Sequence, residues 1–289
     1  MYKVGTLFVM RRVLGIVSSL LLFLGASAVA QSARPAVPMA GSSDFVAPLL
    51  LSSPSDSSSS KDSELALTVP PALPRMGPEF ALQVYRNRAS MQAEQLWSYS
   101  ASTLIRAELP DTQQYGEYAL QRHYSAPHSL AFKALRFNGD NFVKSNVILR
   151  LMQSEASHVE KDDPSLNALS SANYKFSYKG TSQVQGRLVH VYQVKPRHKR
   201  GGLFKGRIYL DAFTASMVRA EGKPVKSPSI FLKQVEFVQD YADVGSFMLP
   251  VHMHSEAKAR IVGRAVVDIY NSDYQVTSGA ALADVAPSL

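Results

Sequence analysis

The chain has 289 residues, of which 46% are apolar and 19% are charged, and it contains no cysteine. With 31 Lys and Arg residues against 23 Asp and Glu residues its net charge is +8, and its length suits one large or two modest domains. The absence of cysteine excludes a disulfide framework, a cysteine zinc site, an iron–sulfur cluster and a thiol nucleophile.

The first 30 residues have the three parts of a secretory signal peptide. A basic stretch ending at Arg12 precedes an apolar run over residues 13–24, and small residues follow up to Ala30. We expect cleavage after Ala30. The apolar run is too short for a membrane-spanning helix, which needs about 20 residues. The sequence therefore predicts a periplasmic or otherwise exported protein, a setting that weighs against nucleic acid as the partner of the positive charge.

Composition separates a linker from a folded body. Residues 31–76 are rich in Ser and Pro, with serine at every position from 57 to 60. They bury too little apolar surface to offset their chain entropy, so we expect a disordered linker. Aromatic residues then become dense, which predicts one domain over residues 77–277. Residues 278–289 are predicted to form a flexible tail.

Two helices are predicted within the body. The first runs from Glu79 to about Leu96 and is expected to place Phe80, Val84 and Met91 in its apolar stripe. The second runs from about residue 141 to residue 161, ahead of an Asp-Pro pair that stops it. It is amphipathic. Its apolar side consists of Val143, Val147, Ile148, Leu151, Met152 and Val159.

Ten other segments alternate apolar and polar residues with period two, which indicates strands with one buried side. They are Trp97–Leu109, Tyr115–Ser125, Ser129–Phe137, Tyr174–Lys179, Val184–Lys195, Lys205–Asp211, Ala215–Glu221, Ile230–Tyr241, Leu249–Ile261 and Arg264–Val276. Short joins, at Gly180-Thr181, at residues 212–214 and at Gly263, favour antiparallel hairpins, because parallel neighbours need a long crossover. The predicted fold class is α+β: a single strongly curved antiparallel sheet, an open and incomplete β-barrel of about ten strands, capped by the two amphipathic helices.

The order of these parts resembles that of the LolA/LolB/RseB superfamily of envelope proteins over roughly residues 79–276. The matching features are Leu96-Trp97-Ser98-Tyr99 after the first helix, Tyr124, Pro127, His128 and Phe132 in a hairpin, Gly139-Asp140 before the second helix, the paired segments Gly206–Asp211 and Met217–Arg219, and Tyr241 ahead of Leu249-Pro250-Val251. The resemblance implies an open barrel capped by helices, with an apolar cavity between them that binds acyl chains of lipids or lipoproteins without catalysis.

The resemblance also has departures and alternatives. Carriers of the LolA type have an arginine that helps to hold the lid shut where this chain has Ala126. Receptors of the LolB type are anchored through an N-terminal cysteine, which is absent here. An RseB-like envelope sensor that binds a membrane protein is therefore an alternative to lipoprotein sorting. An outer-membrane barrel and an enzyme on this scaffold are weaker alternatives. An enzyme would need convergent catalytic groups, which the sequence does not present.

The candidate ligand site is the apolar lining of the barrel together with its lid. Each buried CH₂ group contributes about 0.8 kcal/mol, so apolar side chains alone suffice for strong binding. The predicted lining residues are Trp97, Tyr99, Ile105, Leu249, Val251, Met253 and Ile261, and the predicted lid residues are Val147, Leu151 and Met152. The alternative is that these side chains fill an ordinary core with no cavity.

Two polar features complete the predictions. Arg197, Lys199, Arg200 and Lys205 surround a glycine pair at a hairpin tip, where they are expected to contact an anionic membrane surface or an acidic envelope protein, or to form only a hydrated loop. His252 and His254 share one face of a strand, but basic residues continue that face, which favours a polar surface over a metal site. No cofactor, metal or catalytic residue is predicted, and a monomer is expected.

Overall fold

A computed structural model of the chain describes residues 74–226, 232–259 and 263–279. The predicted signal peptide, the linker up to residue 73 and the tail from residue 280 lie outside these residues, and so does Ile261. The end of the predicted linker is part of the described body: the backbone N–H of Met76 donates to the carbonyl oxygen of Ala212 at 2.8 Å.

Ten strands form one antiparallel sheet in the order β3-β2-β1-β10-β9-β8-β7-β6-β5-β4. They are β1 (Leu96–Leu109), β2 (Gln114–Ser125), β3 (Ser129–Gly139), β4 (Tyr174–Val184), β5 (Arg187–Pro196), β6 (Phe204–Asp211), β7 (Met217–Pro224), β8 (Leu232–Val244), β9 (Phe247–Ala259) and β10 (Gly263–Ser278). Every strand follows its neighbour along the chain except at the β1–β10 pair, which joins the first strand to the last. The strands β3 and β4 are the two edges, so the sheet is open. The predicted fold class is confirmed.

The helices lie at the start of the domain and between the two edge strands. Helix α1 (Pro78–Gln95) leads directly into β1. The connection from β3 to β4 begins with one turn, α2 (Asn141–Val143), and continues as a π-helix over Lys144–Ile148 and as α3 (Leu149–Lys161). A 3-10 turn, Pro164–Leu166, follows before β4 begins. We call residues 141–161 the covering helix, because they pack against β1, β2 and β3. All six residues of its predicted apolar side are buried.

The buried side of α1 differs from the prediction. Phe80 and Met91, expected in its apolar stripe, expose 58% and 54% of their surface. The side chains that face the sheet are instead Ala81, Tyr85 and Gln92. The prediction was wrong because it sought apolar residue types alone, whereas a buried glutamine that finds hydrogen-bond partners is compatible with a helix–sheet interface.

One predicted turn is also displaced. Strand β4 continues through Gly180, where the ladder with β5 shifts register, and the chain reverses only at Gln185-Gly186. Both of those residues have positive φ, 50° and 75°. Two-residue hairpins favour turns with positive φ at both central positions, because their twist matches that of the strands. The glycine at position 180 therefore marks a β-bulge and not a hairpin turn.

The inner face of the sheet, defined as the face against which both helices pack, carries two buried apolar clusters. The covering-helix core joins residues of β1, β2, β8, β9 and β10 to the covering helix and includes Ile105, Leu120, Met253 and Ile269. The α1 core joins residues of β4 to β9 to Tyr85 of α1. The two helices therefore divide the inner face between them.

Candidate functional site

Five of the predicted lining and lid residues meet in the covering-helix core. Ile105 and Met253 come from the sheet, and Val147, Leu151 and Met152 come from the covering helix. Each exposes between 1% and 8% of its surface. Since so little surface is accessible, the helix and the sheet are in direct contact. A ligand would reach this part of the inner face only by taking the place of the covering helix.

The remaining predicted lining residues lie elsewhere. Leu249 belongs to a separate buried cluster with Leu96 and Phe247, and Tyr99 packs against that cluster. Val251 is half-buried.

Trp97 is a correction. It exposes 54% of its surface, whereas the preceding Leu96 exposes 5%. The ladder between β1 and β10 shifts register between Leu96 and Ser98, so the alternation that places Tyr99 inward does not extend back to the tryptophan. A register shift of this kind changes which side chains face the core.

A buried ion pair joins the covering helix to the sheet. The guanidinium of Arg122, on β2, donates from Nη1 to Oε1 of Glu155 and from Nη2 to Oε2 of Glu155, the latter at 3.0 Å. The two residues expose only 3% and 2% of their surface. Burial alone would lower the pKa of Arg122, but the adjacent Glu155 carboxylate outweighs burial and raises that pKa above its usual value. Arg122 therefore stays charged, and its buried charge depends on the neighbouring Glu155 side chain.

Aromatic rings surround this ion pair. The rings of Tyr99 and Tyr124 stack with centroids 5.2 Å apart, and the ring of Tyr274 meets Tyr99 edge-on at 5.6 Å. The guanidinium carbon of Arg122 lies 5.4 Å from the ring centroid of Phe132. Burial raises the pKa of both Tyr99 and Tyr274, so their hydroxyls stay neutral. Rings that exclude water strengthen the attraction between the two charges.

Helix α1 is attached differently, through polar side chains that reach the strands. Gln92 donates from Nε2 to the carbonyl oxygen of Met248 at 3.1 Å, and its Oε1 accepts from the Met248 N–H at 2.8 Å. Arg88 donates to Oγ of Ser216 at 2.6 Å and lies 3.1 Å from Oδ1 of Asp243. The two bonds of Gln92 satisfy the backbone groups of Met248 on β9, which would otherwise be buried without these partners.

Neither Arg122 nor Glu155 is among the residues that the sequence predicted for the site. A signal for them exists: each is a lone charge on an otherwise apolar face. Arg122 occupies the buried face of β2, and Glu155 lies four residues from both Leu151 and Val159 on the buried face of the covering helix. Lone charges of opposite sign on two faces that are predicted to meet indicate a buried pair, because an unpaired buried charge is too costly to keep.

The paired histidines lie on the outer face of the sheet. His252 Nε2 and His254 Nδ1 each lie 3.0 Å from Oδ1 of Asp268, and Arg264 pairs with Glu256 beside them at 2.8 Å. In the part of the chain that the structure describes, no group of three or more His, Asp or Glu side chains is placed to hold a metal ion. These histidines belong to a polar network that links β9 to β10.

The basic stretch forms the β5–β6 turn, as predicted, but its arginines and lysines differ in their contacts. Arg197 and Arg200 donate hydrogen bonds to carbonyl oxygens within residues 166–171, the segment that leads into β4. Lys199 and Lys205 are exposed. The two arginines therefore hold a neighbouring loop, which leaves the lysines as the side chains that face solvent.

Comparisons with known proteins found one similar family and several similar solved structures. A family of unknown function, DUF5686, has a model that matches residues 165–276, which run from just before β4 into β10. No curated protein sequence matches the chain. None of the helices among residues 74–226, 232–259 and 263–279 has both the length and the apolar character that crossing a bilayer requires.

The chain is also similar to several solved structures. A putative outer membrane lipoprotein-sorting protein domain from Vibrio parahaemolyticus is 12% identical, with a TM-score of 0.37 over 70% of this chain and 94% of that one. A LolA superfamily protein from Nitrosomonas europaea is 9% identical, with a TM-score of 0.34 over 69% and 93%. The MucA/MucB complex of Pseudomonas aeruginosa contains a chain that is 11% identical, with a TM-score of 0.24 over 71% and 96%.

Proposed function

We propose that this chain is an exported lipid-binding protein that holds acyl chains, of free lipids or of lipoproteins, against the inner face of its sheet. The observation that carries the proposal is the interface between the sheet and the covering helix. Both sides of that interface are apolar, over two predicted lining residues on the sheet and three predicted lid residues on the helix. An acyl chain offers these apolar side chains of the sheet the same kind of contact as the helix does, so it can take the place of the helix over them.

The energies are compatible with such an exchange. Each CH₂ group that leaves water contributes about 0.8 kcal/mol, so a fully buried chain of 16 carbons contributes about 12 kcal/mol before the costs of association. Against this stand the ion pair of Arg122 with Glu155 and the hydrogen bond between Nδ1 of His128 and the carbonyl oxygen of Val159, which a hydrocarbon cannot replace. Opening the helix lets water reach both charges, which limits the cost of separating them. The displaced helix exposes its own apolar side chains at the same time, so the exchange depends on the difference between these two apolar contributions.

Helix α1 is attached by hydrogen bonds that an acyl chain cannot replace. Displacing α1 would break the two hydrogen bonds between Gln92 and the backbone of Met248, and an acyl chain has no group that restores them. We therefore expect the covering helix to act as the lid and α1 to remain on the sheet. Binding of this kind makes and breaks no covalent bond, so it requires no catalytic residue.

The first test is native mass spectrometry of the protein purified from its own envelope, in which a co-purifying lipid is expected. The second is a titration with saturated fatty acids of increasing length. Because about 1.4 kcal/mol corresponds to tenfold in affinity, each two CH₂ groups should strengthen binding by about tenfold. Absence of bound lipid together with affinity that is independent of chain length would refute the proposal.

A distance measurement identifies the lid. Because the chain has no cysteine, spin labels can be introduced at chosen pairs of positions. One pair joins Gln153, exposed on the covering helix, to Glu108, exposed on β1. The matched control joins Glu94, exposed on α1, to the same Glu108. On addition of palmitate the first distance should lengthen and the control distance should stay unchanged. An unchanged first distance at saturating palmitate would contradict displacement of the covering helix.

A further inference from the structure

A row of four lysines crosses the outer face of the sheet. Lys175 on β4 is the direct partner of Lys195 on β5, and Lys205 on β6 is the direct partner of Lys223 on β7. The β5–β6 ladder ends at the pair Val194–Gly206, so Lys195 and Lys205 are adjacent across those two strands. We call Lys175, Lys195, Lys205 and Lys223 the lysine row. With strands about 4.8 Å apart, it spans about 14 Å.

The lysine row is unfavourable for the isolated fold. Like charges directly opposite each other on neighbouring strands destabilise a sheet. Among the described residues, the row has one ion pair, between Nζ of Lys223 and Oε1 of Glu236 at 2.5 Å. Protection of a sheet edge explains a lysine on the edge strand β4. It does not explain Lys195 and Lys205, which lie on strands that are paired on both sides.

We propose that the lysine row binds the anionic headgroup surface of a lipid bilayer. A lysine carries a compact charge on a flexible stem, which suits a diffuse layer of negative charge more than a single fixed ligand. Each lysine near such a surface strengthens attachment, and four in a row act together. Lys199, exposed at the adjoining β5–β6 turn, extends the same positive surface. Attachment by the outer face leaves the inner face and its covering helix free.

An acidic protein fits the lysine row less well than a bilayer does. The centres of protein interfaces are enriched in aromatic residues and arginine and are depleted in lysine. None of the exposed large apolar side chains in the described residues lies on β5, β6 or β7. The arginines of the neighbouring turn are bound to carbonyl oxygens within residues 166–171. The surface therefore offers charge without anchors, which is what a headgroup layer requires.

The test compares two triple variants of equal net charge. In the first, Lys175→Gln, Lys195→Gln and Lys205→Gln are combined. In the matched control, Lys133→Gln, Lys161→Gln and Lys258→Gln remove three exposed lysines outside the row. Binding to vesicles of phosphatidylglycerol and phosphatidylethanolamine is measured by co-sedimentation, with phosphatidylcholine vesicles as the uncharged reference. The row variant should bind the anionic vesicles about 100-fold more weakly than the unmodified protein, and the control should lose little.

Two further readouts separate the outcomes. Binding should weaken as salt rises from about 0.01 M to about 1 M, because the screening length falls from about 30 Å to about 3 Å. The row variant should melt at the same temperature as the unmodified protein or higher, because it relieves repulsion between Lys175 and Lys195. Equal loss in both variants, no binding by the unmodified protein at low salt, or row-dependent binding to polyglutamate but not to vesicles would each overturn the proposal. Palmitate affinity of the row variant reports separately on the inner face, on which this inference does not depend.

Discussion

The two helices lie on the same face of one sheet and are held there by different kinds of contact. Helix α1 buries few large apolar side chains and is attached through Gln92 and Arg88, whose polar groups bind specific atoms of the strands. The covering helix buries six apolar side chains and has one buried ion pair, Arg122–Glu155. The interface of α1 depends on directed hydrogen bonds. The interface of the covering helix depends on buried apolar area and on the Arg122–Glu155 ion pair.

This difference determines what a ligand can replace. Hydrophobic burial is non-directional, so a hydrocarbon chain can substitute for a helix of similar apolar surface. Hydrogen bonds to a buried backbone group need a donor or acceptor at a fixed position, and losing them costs the full desolvation of that group. We therefore expect a ligand to take the place of the covering helix and α1 to remain on the inner face. Substitutions that remove one contact at a time test this division.

The largest effect is expected for Arg122→Met. This substitution leaves the Glu155 carboxylate buried without its partner, and breaking a buried pair in this way costs about 3–5 kcal/mol. Urea denaturation at neutral pH measures the loss as a lower transition midpoint. The double variant Arg122→Met with Glu155→Leu removes both charges and should recover most of the stability. A loss below about 1 kcal/mol in the single variant would show that the pair does not fasten the covering helix.

Leu151→Ala should have the next largest effect, a loss of about 3 kcal/mol. The side chain is 2% exposed and packs within the covering-helix core, so its truncation removes apolar contacts and leaves a cavity. Gln153→Ala, on the exposed side of the same helix, is the matched control and should stay within about 0.5 kcal/mol. Thermal denaturation of the two variants measures the difference. Equal losses would mean that the buried side of this helix has been assigned wrongly.

Gln92→Leu should cost about 2 kcal/mol. It preserves the approximate size of the side chain but leaves the N–H and carbonyl of Met248 without partners. Gln83→Leu, at an exposed position of α1, is the control. Amide hydrogen exchange should accelerate in α1 and in β9 near Met248, while the covering helix keeps its exchange rates. Faster exchange in the covering helix alone would contradict the assignment of the Gln92 bonds to the attachment of α1.

Sequence reasoning predicted the parts of the fold that repeat. The period of two over ten segments and the apolar side of the covering helix, Val143 to Val159, are properties of consecutive residues, and the structure confirms them. The buried side of α1 could not be predicted in this way. It depends on Gln92 meeting a backbone group of Met248, which lies 156 residues away along the chain. Such a partner becomes visible only when the strands are in register.

The candidate site, too, could be predicted only where it depends on consecutive residues. Five of the ten predicted lining and lid residues meet in one core, because burial on a strand or helix face follows from the periodicity. The exposure of Trp97 depends on the register shift between β1 and β10, which two distant strands determine together. The pairing of Arg122 with Glu155 needed the further inference that two lone charges face each other. Local pattern therefore predicts which side chains are buried, and pairing between distant elements decides how they are held.

The smallest effect is expected for Arg88→Met, about 1 kcal/mol. The pair that Arg88 forms with Asp243 exposes 28% and 34% of the two side chains, so water and salt already screen it. Thermal denaturation at low and high salt measures the loss, which should shrink as salt rises because screening weakens the wild-type pair. Arg122→Met should show no such salt dependence, since its partner is buried. If Arg88→Met proved as destabilising as Arg122→Met, α1 would also depend on a charge pair, and the distinction between an exchangeable and a permanent helix would fail.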